Sequence, residues 1–464
     1  MKRILLLIVS LLPLWAVAQH FQGDWGGQLM FGNQGLKIII HIQQAEDGYR
    51  ATMDSPDQGA FGMKVSQVTV EDKNISIQMH DLGASYEATQ LSEGVLSGTF
   101  RQRGMSFPLI LTPHKEQIDR PQEPRAPYPY TEREVEFESR EQGILLRATL
   151  TLPADGQPVA AVVLVTGSGT QNRDEEVFQH KPFKLIADFL TRRGVAVLRY
   201  DDRDWGLPEE QLKTRREAST EELAQDALGA VDYLKEALSN SKLPIGILGH
   251  SEGGTIAFLA AAAERRVDFI VSLAGSMLRG DQVLLYQNRL GLEQMQMPLS
   301  MIHSSLDFVA YYLDFMANHT QEELLEKRSE YITLLKQHPK AQKLPVELRS
   351  SIVASYDRYA TSRWLHHFIR FDPARAIQKA ERCPILALNG TLDHQIESGE
   401  HLGRLKMLLP KSKRLTIKEY DGLNHLFQPA KTGLVKEYAT ITTTLSEEVL
   451  HDIAQWIDEV VLKK

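Results

Sequence analysis

A serine between two glycines is the residue of this chain with the clearest capacity for chemistry. It is Ser251 in the segment GHSEG at residues 249–253, which follows an apolar run at residues 243–248. That run predicts a short buried strand and the alanine-rich residues 255–263 predict a helix, so Ser251 lies on a strand-to-helix turn. Such a turn strains the serine backbone and lifts its hydroxyl above the sheet, which small neighbouring residues permit. We interpret Ser251 as a nucleophile; the alternative is a serine that caps a glycine-rich helix.

A serine nucleophile needs a base and a carboxylate that orients the base. Asp393 follows a predicted strand at residues 384–388, and His425 follows the next predicted strand at residues 415–417. Because the carboxyl ends of parallel strands meet at one edge of a sheet, we expect both side chains near Ser251. The order Ser, Asp, His along the chain is that of an α/β-hydrolase triad, in which the histidine is the general base. Taken alone, each has an alternative, as a turn aspartate or a solvated loop histidine.

An acyl-transfer site also needs N–H donors for the oxyanion that forms during the reaction. The backbone N–H of Glu252, directly after the serine, is the first candidate. The second is the backbone N–H of Ser168 in the glycine-rich loop at residues 166–170, which a flexible glycine turn would also explain. His250 and His394 are adjacent to triad residues, so we expect their side chains to point elsewhere and to have structural roles.

Composition limits the class of protein. The 464 residues are 42% hydrophobic and 24% charged, which is typical of a globular chain, and the length favours two folded units. The net charge of -8 argues against nucleic acid as a partner, because phosphate binding needs a basic face. Cys383 is the only cysteine, so no disulfide forms within the chain. The chemistry described above needs no metal and no organic cofactor, and none is predicted.

The order of sequence patterns predicts the domain organisation. A basic start, an apolar core and small residues at a cleavage site predict a cleaved signal peptide at residues 1–18, and hence a periplasmic or secreted protein. No later segment is long and apolar enough to span a bilayer. The other predicted parts are an all-β, barrel-like domain at residues 20–115, a proline-rich linker at 116–131, an α/β domain at 132–464 and a helical insertion within it at about 280–376.

The helical insertion follows a predicted strand at residues 269–273, whose carboxyl end lies on the same sheet edge as Ser251. It contains more Leu, Met and Phe residues than its helices can bury separately, which favours a lid that shapes an acyl pocket. Packing within the lid's own core is the alternative for each of these residues. The candidate pocket-wall residues are Met295, Met297, Met301, Phe308 and Phe315.

Several short segments of the chain are similar to those of a known superfamily. They are GSGTQNRDE at residues 167–175, RYDDR at 199–203, GHSEGG at 249–254, FDP at 371–373, LNGTLD at 388–393 and NHLF at 424–427. In these segments the chain resembles the α/β-hydrolase superfamily, specifically bacterial exported serine esterases in which a β-rich domain precedes the hydrolase domain. The resemblance implies an α/β-hydrolase sheet with a helical lid. It also implies hydrolysis of small or short-acyl carboxylic esters through an acyl-enzyme. One departure is DWG at residues 204–206, where such esterases look to have Gly-Val-Gly.

Two other functions remain open at this point. One is a serine peptidase of the lidded α/β-hydrolase kind, whose lid carboxylates would bind a substrate amino group. The lid glutamates in question are Glu322, Glu323, Glu326 and Glu330. Their spacing among lysines and arginines is that of a solvated helix face. The other is a non-catalytic protein that binds a ligand on a hydrolase scaffold. The esterase hypothesis implies a small-molecule ester as partner, and the sequence predicts no oligomeric state.

Overall fold

The computed structural model describes residues 21–463, apart from residues 32–33, 46–47, 59, 93, 103, 115–119, 208–210, 212–214, 239 and 241. The predicted signal peptide at residues 1–18 lies outside the described residues, as does the beginning of the predicted linker. The chain divides into two compact units, which are Met1–Asp119 with Tyr438–Thr440 and Arg120–Glu437 with Ile441–Lys464.

The first unit is an antiparallel β-sheet. Its strands are β1 (Gly23–Phe31), β2 (Gln34–Ala45), β3 (Gly48–Ser55), β4 (Ala60–Lys64), β5 (Gln67–Glu71), β6 (Asn74–Met79), β7 (Ala84–Ser92), β8 (Val95–Gln102) and β9 (Met105–Pro113). The nine strands follow the order β4-β3-β2-β1-β9-β8-β7-β6-β5, so most neighbours are consecutive in the sequence. Strand β3 also approaches β5, because the sheet curls towards a barrel.

Alternation of side chains builds the core of this first unit. In β6 the side chains of Ile75, Ile77 and Met79 are buried, while the residues between them are partly exposed. Trp25 lies in the same core with 4% exposure, and its indole N–H donates to the carbonyl of Phe21 at 2.8 Å. The predicted all-β, barrel-like domain is therefore confirmed.

The second unit contains a mixed β-sheet. Its strands are β10 (Thr131–Glu138), β11 (Leu145–Leu152), β12 (Ala160–Val165), β13 (Val195–Tyr200), β14 (Ile245–His250), β15 (Phe269–Leu273), β16 (Ile385–Gly390) and β17 (Leu415–Tyr420). The eight strands follow the order β10-β11-β13-β12-β14-β15-β16-β17. Strands β10 and β11 are antiparallel, and the strands from β13 to β17 are parallel. Strands β12 to β16 are apolar and fully buried, as expected for parallel strands with helices on both faces.

Helices cover both faces of this sheet. Those outside the insertion are α1 (Pro182–Thr191), α2 (Thr220–Ala237), α3 (Glu252–Ala263), α12 (Ala374–Lys379), α13 (Ser398–Leu408) and α15 (Glu447–Trp456). A short further helix, α14 (Val435–Tyr438), ends at Tyr438, which belongs to the first unit. One core cluster joins the sheet to α2, α3, α12 and α13, and a second joins it to α1 and α15. Helix α2 begins with a capping box, in which the Ser219 hydroxyl accepts the Glu222 N–H and the Glu222 carboxylate accepts the Ser219 N–H.

The predicted insertion between β15 and β16 is helical. It consists of α4 (Gly280–Gln294), α5 (Leu299–Asn318), α6 (Gln321–Glu326), α7 (Arg328–Gln337), α8 (Pro339–Gln342), α9 (Val346–Ala354), α10 (Tyr356–Thr361) and α11 (Arg363–Phe368). These helices pack around a hydrophobic cluster of their own. The fold class predicted from the sequence, an α/β sheet with a helical lid insertion after an all-β domain, is therefore confirmed. Among the described residues, no helix has both the length and the apolar character that a bilayer crossing requires.

The proline-rich segment differs from a free linker. Its described part belongs to the second unit, which begins at Arg120 rather than at residue 132. Polar side chains attach it there: Gln122 donates through Nε2 to the carbonyl of Leu445 at 2.9 Å, and the Glu123 carboxylate pairs with Lys181 at 3.1 Å. The segment contains turns and bends, and the side chains between its prolines attach it to the second unit.

The close packing of helix α2 on strand β10 can be tested by substitution of a glycine at their contact. A Cβ on Gly229 in α2 would lie 2.3 Å from the carbonyl oxygen of Glu138 in β10, whereas a Cβ on Gly403 in α13 would meet no atom within 4 Å. We expect Gly229→Ala to lower the free energy of unfolding by about 1–3 kcal/mol through overpacking. The matched change Gly403→Ala should raise it by up to about 1 kcal/mol, because alanine favours helices. Urea unfolding measures both; equal effects of the two changes would contradict the packing of α2.

Candidate active site

The predicted site residues lie in loops at the carboxyl ends of neighbouring parallel strands. The loop with Ser168 follows β12, Ser251 follows β14, Asp393 follows β16 and His425 follows β17. Since these strands are parallel, their carboxyl ends share one edge of the sheet. The sheet therefore brings the loops together although they are distant in the sequence.

Ser251 occupies a strained turn between β14 and α3. Its φ of 54° and ψ of -121° lie in a sparsely populated region, which costs a non-glycine residue about 1–3 kcal/mol. A Cβ on Gly249 would lie 2.0 Å from the carbonyl oxygen of Gly253, and a Cβ on Gly253 would lie 2.1 Å from that of Val165. Strand β14, helix α3 and strand β12 thus approach each other more closely than a larger residue would allow. The predicted strand-to-helix turn is confirmed.

Asp393 and His425 form a buried hydrogen-bonded pair. Nδ1 of His425 lies 2.8 Å from Oδ2 of Asp393, and the two side chains are 5% and 0% exposed. The other oxygen of Asp393 accepts the N–H groups of Gln395 at 2.8 Å and Ile396 at 2.9 Å, so the carboxylate is fixed from both sides. Because a carboxylate only accepts, Nδ1 carries the proton and Nε2 of His425 holds the lone pair that a general base needs.

The glycine-rich loop after β12 lies beside Ser251. A Cβ on Gly167 would be 3.1 Å from the Cβ of Ser251. The N–H of Gly167 donates to the carboxylate of Glu175 at 2.9 Å, so this amide is already engaged. The next residue, Ser168, is exposed, and its backbone N–H as an oxyanion donor stays a prediction. The N–H of Glu252 belongs to the first turn of α3, where helical N–H groups have no intrahelical acceptor.

Strand β13 and the residues after it hold this loop in place. The Asp202 carboxylate accepts the hydroxyl of Thr166 at 2.9 Å and the N–H of Gln171 at 2.7 Å. Burial raises the pKa of Asp202 to about 7, and nearby carboxylates add to that effect. Asp202 is thus a titratable residue that bonds both ends of the glycine-rich loop, Thr166 at its start and Gln171 after it.

Ion pairs join the same two segments of sequence. Arg173 donates through Nη2 to the Asp201 carboxylate at 2.6 Å, and Arg199 pairs with Asp174. These contacts explain the charged residues of GSGTQNRDE and RYDDR, which fix the loop next to Ser251. The segment DWG at residues 204–206, which differs from the Gly-Val-Gly of the esterases that the chain resembles, forms a turn after RYDDR, and Trp205 is 41% exposed.

The neighbouring histidines have distinct roles. His394 is partly buried and its Nε2 donates to the carbonyl of Thr432 at 2.8 Å, in agreement with a structural role. His401 in α13 was not singled out from the sequence. It is 2% exposed and its Nδ1 accepts the N–H of Met277 at 2.9 Å. Burial lowers the pKa of His401 to about 4, so it is neutral beside Asp393 and His425 at neutral pH.

His250 and Glu175 form a further buried pair beside the site. Nδ1 of His250 lies 2.9 Å from the Glu175 carboxylate, and its Nε2 lies 3.0 Å from the carbonyl oxygen of His425. Glu175 ends the segment GSGTQNRDE, but nothing in that segment indicated a buried carboxylate, since a carboxylate in a polar loop is ordinarily solvated. His250 therefore has a structural contact with the backbone of His425.

The predicted pocket-wall residues have different environments. Phe308 and Phe315 are 0% and 8% exposed within the hydrophobic cluster of the insertion, and Met301 packs against that cluster. These two phenylalanines thus have the packing role that the sequence offered as the alternative. Met295 is 71% exposed at the end of α4, and Met297 is partly buried. A wall role for the methionines stays a prediction.

A different residue connects the insertion to the turn at Ser251. The indole N–H of Trp364 in α11 donates to the Glu252 carboxylate at 2.9 Å, and the Thr220 hydroxyl donates to the same oxygen at 2.7 Å. Glu252 is 4% exposed, so its side chain is held between the lid and α2 while its backbone begins α3. Sequence reasoning missed Trp364, because an isolated tryptophan near the end of a helical segment has no distinguishing pattern.

Comparison with known proteins identifies the family. The model of the serine aminopeptidase S33 family matches residues 156–428. The chain belongs to this family. The matched region includes the glycine-rich loop, Ser251, Asp393 and His425.

In the described part of the chain, no group of three or more His, Cys, Asp or Glu side chains is arranged to hold a metal ion.

Individual relatives are hydrolases. The chain is 27% identical to the esterase EstD of Thermotoga maritima over 319 residues, which are 67% of this chain and 65% of that esterase. It is 30% identical to the thiohydrolase aneE of Aspergillus aculeatus over 140 residues, which are 30% of this chain and 40% of the thiohydrolase. Among solved structures, a carboxyl esterase from Bacillus coagulans in complex with glycerol is 17% identical, with a TM-score of 0.44, and the match covers 71% of this chain and 99% of that one.

The raised pKa of Asp202 predicts a pH-dependent stability. The folded chain keeps a proton on this carboxyl up to about pH 7, whereas the unfolded chain releases it near 3.8, so the free energy of unfolding falls as the pH rises between these values. Asp202→Asn cannot ionise, and its amide can still bond Thr166 and Gln171. We expect the stability of this variant relative to the wild type to increase by about 2–3 kcal/mol between pH 5 and pH 8. Urea unfolding at the two pH values measures the difference; a constant difference would contradict the assignment.

Proposed function

We propose that the protein is a serine carboxylesterase that hydrolyses small or short-acyl carboxylic esters. Its proposed catalytic residues are Ser251 as nucleophile, His425 as general base and Asp393 as the carboxylate that orients His425. The observation that carries the proposal is the strained conformation of Ser251 at the sheet edge that also bears the buried Asp393–His425 pair. Membership of the S33 family and the similarity to a protein named as an esterase support it.

The reaction follows from these roles. His425 Nε2 takes the proton of the Ser251 hydroxyl while Oγ bonds to the ester carbonyl carbon, and the carbonyl oxygen becomes an oxyanion. The C–O bond to the alcohol then breaks, and the leaving oxygen takes the proton from His425 Nε2. Water, deprotonated by His425, attacks the acyl-enzyme and releases the carboxylic acid and Ser251. Asp393 keeps the proton on Nδ1 throughout, so Nε2 alternates between base and acid.

The oxyanion needs donors that are in place before the reaction. We assign this role to the backbone N–H of Glu252 and, as a second donor, to that of Ser168. Two features support the assignment: Glu252 begins α3, and the Asp202 contacts fix the loop before and after Ser168. Each such donor typically contributes a factor of about 10²–10³ to turnover.

An aminopeptidase is the second candidate, because the family description favours it. Such an enzyme needs carboxylates that bind the substrate amino group inside the site. The lid glutamates do not fit this role well. Glu322, Glu326 and Glu330 are exposed on α6 and α7, and Glu323 caps α6 through Thr320. The third hypothesis, a ligand-binding protein without turnover, explains neither the strained backbone of Ser251 nor the oriented ring of His425 at the same sheet edge.

Turnover of model substrates tests the proposal. We expect the purified protein to hydrolyse p-nitrophenyl acetate and aminoacyl-naphthylamides at very different rates, with the ester preferred. Ser251→Ala should lower kcat by several orders of magnitude, up to about 10⁶, because the members of a triad act as a unit. Steady-state kinetics on both substrate classes, with circular dichroism to verify folding, give the result.

Matched variants make this test specific. His425→Ala should lose activity as Ser251→Ala does, whereas His394→Ala removes a partly buried histidine that bonds the Thr432 carbonyl and should keep it. Ester hydrolysis by Ser251→Ala at more than about a tenth of the wild-type rate would reject the proposed nucleophile. Preferred cleavage of aminoacyl-naphthylamides would favour the aminopeptidase. Turnover of neither substrate class, nor of longer acyl esters, would favour a binding protein.

A further inference from the structure

His250 lies directly before Ser251, is buried, and has both ring nitrogens engaged. Its Nδ1 is 2.9 Å from Oε1 of Glu175, and its Nε2 is 3.0 Å from the backbone carbonyl oxygen of His425. Carboxylate and carbonyl oxygens accept hydrogen bonds, so His250 donates from both nitrogens. A ring with two N–H groups is an imidazolium. The His250 ring thus links two loops: the glycine-rich loop at residues 166–170, here called the oxyanion loop, and the loop after β17 that bears His425.

The electrostatic environment favours this charged form. Burial by itself lowers the pKa of His250, but the Glu175 carboxylate, the hydrogen bond to the His425 carbonyl and the charge of Asp393 raise it above its ordinary value overall. Glu175 is 3% exposed, so the pair is an ion pair away from solvent. Separating such a pair would leave two buried charges without partners, which costs free energy, so Glu175 and His250 stay in one arrangement.

Glu175 is itself held in an unusual conformation. Its φ of 51° is left-handed, which is rare for a residue with a long side chain and is retained only where the surroundings enforce it. The same oxygen that pairs with His250 also accepts the N–H of Gly167 at 2.9 Å. Gly167 in turn lies against Ser251. One carboxylate oxygen therefore links the glycine-rich loop to the histidine that holds the backbone of His425.

We propose that Glu175 and His250 are positioning residues that couple the oxyanion loop to the general base of the site. This inference rests on the proposed function, since it assigns His425 the role of base. Glu175 fixes Gly167 through its N–H, and His250 fixes His425 through its carbonyl. Neither side chain touches the reacting atoms. Their expected effect is on turnover, because small displacements of the base or of the oxyanion donors are costly in the transition state.

The fixed charge of His250 adds a second consequence. Its ring centroid lies 4.7 Å from that of His425, so a cation faces the base from β14. Other titratable groups near it are Asp393 after β16, Glu175 after β12, and His401 on α13, which is neutral near pH 7. Tyr286 on α4 lies within electrostatic reach of Asp393. A cation disfavours a second positive charge beside it. Replacing His250 with a neutral residue removes the cation and leaves the Glu175 carboxylate, so we expect hydrolysis by that variant to require a higher pH.

The experiment compares each proposed positioning residue with a matched neighbour. Glu175→Gln is paired with Glu176→Gln, a change at the adjacent exposed glutamate. His250→Gln is paired with His394→Gln, a change at the partly buried histidine next to Asp393. Hydrolysis of p-nitrophenyl acetate is measured from pH 5 to pH 9 for all four variants, the wild type and Ser251→Ala.

We expect both positioning variants to lower kcat by about 10- to 100-fold with KM changed by less than about threefold. In His250→Gln the midpoint of the acid limb of kcat/KM should also move to higher pH by at least about half a unit. The two matched controls should keep the wild-type kcat and pH profile. A merely structural role of the pair would leave the acid limb in place.

The possible results separate this inference from the proposed function. If Ser251→Ala keeps its activity, the proposed function fails and the inference falls with it. If Ser251→Ala is inactive while both positioning variants keep kcat within twofold and an unchanged acid limb, only the inference is overturned. Should Glu175→Gln fold poorly, Glu175→Asp replaces it: the charge stays while the reach to Gly167 and His250 shortens. The inference then requires a lower kcat with KM changed by less than about threefold, because the charge is kept and only the reach is altered, and a wild-type kcat overturns it.

Discussion

The structure of the site depends on the close approach of strand β14, helix α3 and strand β12 around Gly249 and Gly253. Any side chain at these two glycines would collide with backbone carbonyls of the facing elements. The contact forces the chain to leave β14 sharply and enter α3 within one residue, which puts the strain on Ser251. It also occurs at a particular place in the sheet. From β12 the chain moves to β13 on one side and returns to β14 on the other, so the ends of β12 and β14 border the crevice where the direction of the sheet order reverses.

Buried carboxylates occur throughout this edge, and each has a different partner. Asp393 receives two backbone N–H groups and His425, Glu175 receives Gly167 and His250, and Glu252 receives Trp364 and Thr220. Donors directed at a carboxylate compensate for the water that it loses on burial. Asp202 is the exception, since its contacts do not offset burial and its pKa rises to about 7. Hydrogen bonds to these carboxylates thus hold the loops around Ser251, together with apolar packing of residues such as Leu423 and Phe427.

The sequence predicted those parts of the molecule that depend on local pattern. Apolar runs bounded by turns located the central strands, the glycines located the turn at Ser251, and strand order placed Asp393 and His425 at the same edge. It could not predict contacts between residues that are far apart in the chain and polar in type. Glu175 is an ordinary loop carboxylate until the fold buries it. Phe308 and Phe315 are apolar residues of the kind that line pockets. Whether such a side chain faces a cavity or the core of the helical insertion depends on the three-dimensional packing of the insertion.

The most direct test of the account is the identity of the activated serine. A fluorophosphonate probe bonds covalently to a serine oxygen that a neighbouring base can deprotonate, and it does not react with ordinary surface serines. After reaction of the purified protein with such a probe, proteolysis and mass spectrometry locate the adduct. We expect a single labelled peptide that contains Ser251, and no label at that position in His425→Ala. Labelling of a different serine, or no labelling of protein that hydrolyses esters, would contradict it.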